Sequence, residues 1–230
     1  LQLFVARKLV FSKWKEALGG NIEFIVTGAA PIQPRLIKIF TAAGIDVLEG
    51  YGLTETSPVL AFNRMNIEDR KIGTVGLPVR GVSIKIADDG EILAKGPNIM
   101  KGYYHQQALT DEVIDKEGWF HTGDIGRFYK GNLQITDRIK NMLVNAYGKN
   151  IYPTPVENTY LKSQKIEQLF LIGDKREYIS AIIVPSKEDL QETFGLKEDF
   201  FQQSETFIDD KRIIDWLNLD VRKLSSELAK

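Results

Sequence analysis

Between residues 22 and 48 the chain reads strand, helix and strand with almost nothing in between, and no other stretch constrains the fold as tightly. Ile22-Glu23-Phe24-Ile25-Val26 has the apolar, β-branched texture of a buried strand. Thr27-Gly28-Ala29-Ala30-Pro31 is a turn of small residues. Pro34 suits the first turn of a helix that runs to about Ala43, and Gly44 caps its end. Ile45-Asp46-Val47-Leu48 is the next strand. Two strands joined through a helix by short loops run parallel, which makes this a βαβ unit of an α/β fold.

Ligands of open α/β sheets gather beyond the carboxyl ends of the strands. Two segments fall there: Gly28-Ala29-Ala30, and Glu49-Gly50-Tyr51-Gly52-Leu53-Thr54-Glu55-Thr56-Ser57-Pro58. In the second, two glycines permit close backbone approach, Tyr51 offers a flat ring, Thr54 a hydroxyl and Glu55 a metal-binding carboxylate. That set suits a nucleotide with its Mg2+. On these residues alone, a tight strand-to-loop turn with incidental polar groups stands as the alternative.

The texture changes after Val59. Turn signals recur at Asp88-Asp89-Gly90, Lys95-Gly96-Pro97, Lys101-Gly102, Lys116-Glu117-Gly118 and Lys130-Gly131-Asn132. Short alternating runs lie between them, such as Val82-Ser83-Ile84-Lys85-Ile86 and Glu91-Ile92-Leu93-Ala94, and predict a half-buried antiparallel sheet or small barrel. A short helix is expected from Gln107 to Ile114. Asp124 follows a glycine, where a carboxylate can accept two hydrogen bonds from a vicinal diol. An Asx-turn or helix cap is the other reading of Asp124. His121, alone between Phe120 and Thr122, reads first as structural and second as a general base.

Beyond residue 138 the pattern becomes a small α+β domain. Strands are expected over 169–172 and 178–185, a helix from Pro155, a second over 187–194 and a largely helical end over 199–230. The domain plan is therefore 1–137, comprising a βαβ portion 1–58 and a β-rich portion 59–137, followed by 138–230. At the other end, residues 1–18 form a basic amphipathic helix closed by Gly19-Gly20. Core packing is its expected role, with contact to a membrane surface as the alternative.

Composition excludes several function classes. Hydrophobic residues make up 43% of 230, too many for a disordered chain. Thirty basic and 31 acidic residues are interspersed, so nucleic acid is not the expected partner. The absence of cysteine removes disulfides, zinc fingers and thiol catalysis, and fits a reducing, cytoplasmic setting. No apolar run reaches the ~18 residues of a membrane span. Both ends fall within helical patterns, so a portion of a longer protein is expected.

Four stretches stand in a fixed order: Thr27-Gly28-Ala29-Ala30-Pro31, Gly50-Tyr51-Gly52-Leu53-Thr54-Glu55, Thr122-Gly123-Asp124, and Asp137-Arg138-Ile139-Lys140 with Tyr147-Gly148-Lys149-Asn150-Ile151 behind it. Gly90-Glu91-Ile92-Leu93, Lys95-Gly96-Pro97 and Lys101-Gly102-Tyr103-Tyr104 lie between them. Together they resemble the adenylate-forming enzymes, and their wording is most similar to long-chain fatty-acid–CoA ligases. The resemblance implies that a fatty acid is joined to AMP from Mg-ATP with release of pyrophosphate, then passed to coenzyme A. It implies that Gly28, Ala29 and Ala30 border the adenine and acyl pockets, and that Tyr51 stacks on adenine. Thr54 would contact the α-phosphate, Glu55 would ligate Mg2+, and Asp124 would bind both ribose hydroxyls. Arg138 would lie near ribose and phosphate, Lys140 at the hinge of a mobile C-terminal domain, and Gly148 against the pantetheine tunnel. Glu49, Gly50, Gly52 and Ile135 count among the nucleotide-binding positions on the same ground. The family's Ser/Thr/Gly-rich phosphate loop and its lysine near the C-terminus have no match in these residues; Lys223 and Lys230 lie on a helical pattern. The chain alone is therefore expected to be inactive. An adenylating enzyme for another acid and a non-catalytic nucleotide-binding or interaction module are the alternatives, and peripheral membrane contact is a further expectation.

Overall fold

A computed structural model of the chain describes residues 6–202 and 207–228. Leu3 and Phe4 of the expected first helix, and Lys230, lie outside the described residues. The chain divides into two compact units, Leu1–Ile135 and Thr136–Lys230.

The first unit holds two four-stranded sheets. The βαβ element forms as its spacing dictates. β1 (Phe24–Thr27) and β2 (Asp46–Gly52) run parallel in the register Thr27 to Glu49, joined through the helix Pro34–Ala42. Pro34 sits in that helix's first turn, where its missing N–H has no partner to lose. After Ala42 the backbone turns at Gly44, whose φ of +75° closes the helix end.

Three expectations need correction here. First, the strand after the helix does not stop at Leu48. It continues through Glu49, Gly50, Tyr51 and Gly52, because β3 (Val59–Phe62) pairs antiparallel with it. Tertiary pairing overrides the turn preference of the two glycines. Second, the sheet is mixed: β4 (Leu77–Pro78) adds beyond β3, so the expected β-rich portion contributes to both sheets. Third, β1 is not buried. It is the edge strand, and Phe24 and Val26 are exposed, Val26 at 57%. The first helix fares likewise. A π-helical turn over Arg7–Phe11 leads into an α-helix over Ser12–Ala17 that has no buried residue; Leu9, Val10, Trp14 and Leu18 are exposed.

The second sheet has the order β5 (Ser83–Ile86), β6 (Glu91–Lys95), β7 (Phe120–Tyr129), β8 (Asn132–Arg138). It is an open sheet with β5 and β8 at its edges rather than a closed barrel. Lys130 and Gly131, both at positive φ, make the two-residue turn from β7 to β8. The helix Gln107–Val113 lies between β6 and β7 in sequence, as its pattern predicts.

One apolar cluster holds both sheets. Tyr51, Leu60 and Ala61 come from the first, and Ile92, Ala94 and Leu133 from the second. Backbone bonds tie the seam, from Val75 N to Leu133 O at 2.8 Å and from Leu133 N to Gly76 O at 2.7 Å. Burying a leucine or isoleucine side chain of this kind stabilises the fold by about 1.5–3 kcal/mol.

The second unit is α+β. A short hairpin of β9 (Leu143–Val144) and β10 (Asn150–Ile151) precedes a helix that starts at Pro153, two residues before the expected start. This helix, Pro153–Tyr160, packs on β11 (Ile166–Ile172) and on the helix Lys211–Leu228. β12 (Ser180–Pro185) pairs antiparallel with β11. The helix Lys187–Phe194 is begun by Ser186, whose hydroxyl accepts from Asp189 N, and ended by Gly195 in the left-handed region. Ile166, Leu171, Leu190, Ile213 and Leu224 form the buried apolar positions. Among the described residues, no helix is long and apolar enough to cross a membrane.

Candidate functional site

The carboxyl end of β2 and the middle of β7 are brought together by one hydrogen bond. The Tyr51 hydroxyl donates to Asp124 Oδ2 at 2.7 Å, across 73 residues of sequence. Asp124 is 3% exposed and Tyr51 7%, so both are held by the core rather than by solvent. Tyr51 is part of the apolar cluster, which fixes its ring and aims its hydroxyl.

Asp124 owes its position to a break in the ladder between β6 and β7. Glu91 pairs with Ile125 and Leu93 with His121, so Ile92 alone stands opposite the three residues Thr122, Gly123 and Asp124. The extra residues bulge, and bulges re-aim side chains. Gly123 takes a φ of +71°, which a residue with a Cβ adopts only under strain. Thr122 Oγ1 donates to Ile92 O at 2.7 Å and accepts from Asp124 N at 3.1 Å. Glu91 Oε1 accepts from Gly123 N at 2.9 Å, and Glu91 Oε2 lies 2.7 Å from His121 Nδ1. His121 is thus tied to a carboxylate within the bulge, the structural reading of that residue.

The loop after β2 is built on Thr56, which is fully buried. Its hydroxyl accepts from Leu53 N at 2.9 Å and bonds the carbonyls of Leu53 and Pro58. Gly52 is required by close approach: a Cβ there would collide with the Pro58 carbonyl. Asn98 clamps the loop from outside, its Nδ2 donating to Thr56 O at 2.8 Å and to Val59 O at 2.9 Å. The result leaves Thr54 exposed at the start of a single 3-10 turn, Thr54–Thr56. Glu55 is half-buried; its backbone carbonyl accepts from Met100 N at 2.7 Å, and its Oε1 from the Tyr103 hydroxyl at 3.0 Å. Burial and then the Glu55 carboxylate push the Tyr103 hydroxyl above its ordinary pKa.

The Gly28-Ala29-Ala30 turn lies beside the same strand end. A Cβ on Gly28 would stand 3.3 Å from Gly50 O, and Ala29 holds a φ of +64°. Both turns expected beyond the sheet's carboxyl edge are therefore neighbours. Ile135 packs against the apolar cluster. Glu49 stands apart. It lines a separate cleft of roughly 160 Å³ with Ile37, Val47, Asn63 and Arg70, where burial pushes its carboxyl up to about 7 against a lowering hydrogen bond from the Gly73 backbone. None of Tyr51, Thr54, Glu55 and Asp124 lines that cleft.

The remaining candidates lie in the second unit. Arg138 ends β8 and is exposed, Lys140 is exposed in the 3-10 turn Ile139–Asn141, and Gly148 sits at a φ of +75° in the β9–β10 turn. Asn145 shapes that turn, its Oδ1 accepting from Tyr147 N at 3.0 Å and Lys149 N at 2.9 Å. Asp137 is buried; its carboxylate accepts from Arg138 N at 2.7 Å and from Thr154 N, in the first turn of the helix Pro153–Tyr160, at 2.9 Å.

Sequence reasoning missed the supporting residues Glu91, Thr56, Tyr103 and Asp137. Glu91 carried one usable signal, a lone charge at the head of the apolar run Ile92-Leu93-Ala94. Among the described residues, no cluster of three or more potential metal ligands occurs. Glu55 nevertheless fits Mg2+ in the manner usual for nucleotide sites, where one or two carboxylates and the substrate's own phosphates complete the shell.

Known proteins resemble this chain in sequence and in fold. The family model described as AMP-binding enzyme matches residues 2–104, and that described as AMP-binding enzyme C-terminal domain matches residues 140–212. The chain is 42% identical over 182 residues to long-chain-fatty-acid–CoA ligase FadD15 of Mycobacterium bovis, covering 79% of this chain and 30% of that protein. To long-chain-fatty-acid–CoA ligase 5 of Rattus norvegicus it is 37% identical over 237 residues, covering 96% and 34%. It thus spans about a third of the length of these relatives. Among solved structures, O-succinylbenzoate coenzyme A synthetase from Bacillus subtilis, in complex with ATP and magnesium ion, superposes with a TM-score of 0.63 at 27% identity, covering 76% of this chain and 40% of that one.

Proposed function

The chain belongs to the AMP-binding enzyme family, and from that membership we propose that it serves an ATP-dependent fatty-acid–CoA ligase acting on long-chain acids. In the first half-reaction a carboxylate oxygen attacks the α-phosphorus of ATP, the bond to pyrophosphate breaks, and acyl-AMP forms. In the second, the coenzyme A thiol loses its proton and attacks the acyl carbonyl, and AMP leaves. Both steps bring negatively charged groups together, so positioning and charge neutralisation are what the protein supplies.

The observation that carries this reading is the bond from Tyr51 to a buried Asp124, beside an exposed Thr54. Asp124 accepts the two ribose hydroxyls. Tyr51 lines the adenine side, with the adjoining Gly28 and Gly50 backbones letting the base approach closely. Thr54 donates to the α-phosphate. Glu55, with the substrate's own phosphates, would hold Mg2+, which would supply positive charge at the reacting phosphate. Arg138 adds a second cation. Residues 138–230 act as a mobile domain turning at Lys140 between the half-reactions, so that Gly148 meets the pantetheine arm only in the second.

The test is pyrophosphate release by the full-length protein, given ATP and fatty acids of graded length. Release that peaks with long chains supports the reading; release only with short or aryl acids moves it to another acid, a reading favoured by the likeness to the O-succinylbenzoate enzyme. Absence of release with any acid leaves a nucleotide-binding module. The isolated 230 residues are proposed to be inactive, supported by their covering about a third of the relatives' length. Pyrophosphate release by the isolated chain would overturn that.

A further inference from the structure

We propose that Glu91 is a positioning residue for the nucleotide site: its carboxylate holds the Thr122-Gly123-Asp124 bulge in the one shape that presents Asp124 to a ribose. This rests on the reading of Asp124 as the ribose-binding carboxylate. A bulge with three residues opposite one leaves backbone N–H groups without strand partners. An unpaired buried N–H is costly, and most such groups find a side chain or water. Here the partner of the Gly123 N–H is Glu91 Oε1, at 2.9 Å. The same carboxylate uses its second oxygen on His121 Nδ1, at 2.7 Å, so the residue entering the bulge and its apex are gripped together.

Glu91 is well placed for this role. It is 7% exposed, and its own backbone is fixed from both sides: Glu91 N donates to Asp89 Oδ1 at 3.0 Å, and Glu91 O accepts from Ala87 N at 2.9 Å. Gly123 has open space around its Cα and lies in the left-handed region, so no side-chain packing fixes its conformation. The Glu91 carboxylate therefore does what packing cannot. Charge-assisted hydrogen bonds are about twice as strong as neutral ones, which suits a single clamp. Asp124 follows directly, with its N–H on Thr122 Oγ1 and its Oδ2 under the Tyr51 hydroxyl. Glu91 touches none of the reacting atoms in this account; it acts through the bulge.

The test is discrimination between ATP and 3′-deoxy-ATP by the full-length protein, read as the ratio of kcat/KM for pyrophosphate release at a fixed fatty-acid concentration. A ribose diol gripped by Asp124 gives the wild type a ratio of about ten or more. Glu91→Ala, and the shorter Glu91→Asp in case the first does not fold, are expected to bring the ratio down towards that of Asp124→Asn. Glu91→Gln keeps an oxygen for the Gly123 N–H and is expected to stay within about threefold of wild type. Wild-type ratios in Glu91→Asp and Glu91→Ala, beside a lost ratio in Asp124→Asn, would overturn the clamp and leave the ribose reading intact. So would a ratio lost equally in Glu91→Gln. An unchanged ratio in Asp124→Asn would overturn the ribose reading itself, and this proposal with it.

Discussion

The two regions that carry the candidate residues are built on opposite principles. Around Tyr51 and Asp124 the candidate side chains other than the exposed Thr54 are braced. Tyr51 sits in the core, Asp124 under its hydroxyl, Glu55 against Tyr103, and the loop between them on a fully buried Thr56. Arg138, Lys140 and Gly148, the candidate positions of the second region, are exposed, and neighbouring side chains hold the backbone around them. Asp137 bonds the Arg138 N–H and the first turn of a helix, and Asn145 shapes the turn that holds Gly148. A nucleotide that must be held still calls for the first kind of construction. On the proposed reading, a segment that changes its backbone angles between two half-reactions calls for the second. The difference teaches what is being held: Tyr51 and Glu55 are held through their side chains by Asp124 and Tyr103, whereas at residues 138 and 147–149 it is the backbone N–H groups that the Asp137 and Asn145 side chains hold.

The first way to break the comparison is through the shared core. Leu60→Ala should destabilise the first unit by about 2–5 kcal/mol, because Leu60 is fully buried between the two sheets. Denaturant unfolding followed by tryptophan fluorescence measures it, and a cost below 1 kcal/mol would mean that the core does not hold Tyr51 as described. Lys140→Pro strikes the other region. Stiffening the turn should slow thioester formation by about ten- to a hundredfold and leave adenylation within about threefold, read separately by acyl-CoA and pyrophosphate assays. Equal loss in both half-reactions would move the hinge elsewhere.

A third effect depends on pH. The Glu49 carboxyl is raised from 4.5 to about 7 by burial, so the folded state favours its protonated form. Its contribution is complete below the unfolded value and is lost as pH rises from about 4.5 to 7. Allowing for its partial exposure, the loss is on the order of 1–2 kcal/mol. Glu49→Gln should flatten the stability profile over that window, as denaturant midpoints at each pH would record. The smallest change belongs to Tyr103→Phe. Removing the hydroxyl from Glu55 should lower ATP turnover by about three- to tenfold and weaken its Mg2+ dependence, as a magnesium titration of initial rates would show.

Much of the local architecture was legible in the residues. Pro34 and Gly44 bound the first long helix, and the pattern over 107–114 and 187–194 gave helices that the structure contains. Short-range signals suffice where capping and turn chemistry decide. They failed where partners far along the chain decide. Gly50 and Gly52 read as a turn, yet pairing with β3 extends the strand through them. The run at residues 22–26 reads as buried, and among the described strands β1 is the outermost of its sheet. The basic amphipathic helix at the start suggested core packing, and among its described residues Leu9, Val10 and Leu18 are exposed while Trp14 meets Phe40 of the helix Pro34–Ala42. Within the candidate site, Tyr51, Thr54, Glu55 and Asp124 are proposed to meet a ligand from their residue types, and the structure brings the Tyr51 hydroxyl onto Asp124. Glu91 and Thr56 were not legible in this way, because their roles exist only as hydrogen bonds to backbone that bulges or turns after folding.

AMP binding to the full-length protein tests the role of Asp124 most directly. Asp124→Asn keeps an oxygen for the Tyr51 hydroxyl while giving up the charge and one of the two acceptors a ribose diol needs. Calorimetric titration should show AMP affinity reduced by about 10- to 100-fold, with the thermal midpoint of the unliganded protein little changed. An AMP affinity equal to that of the wild type would contradict the account and return Asp124 to a structural turn residue.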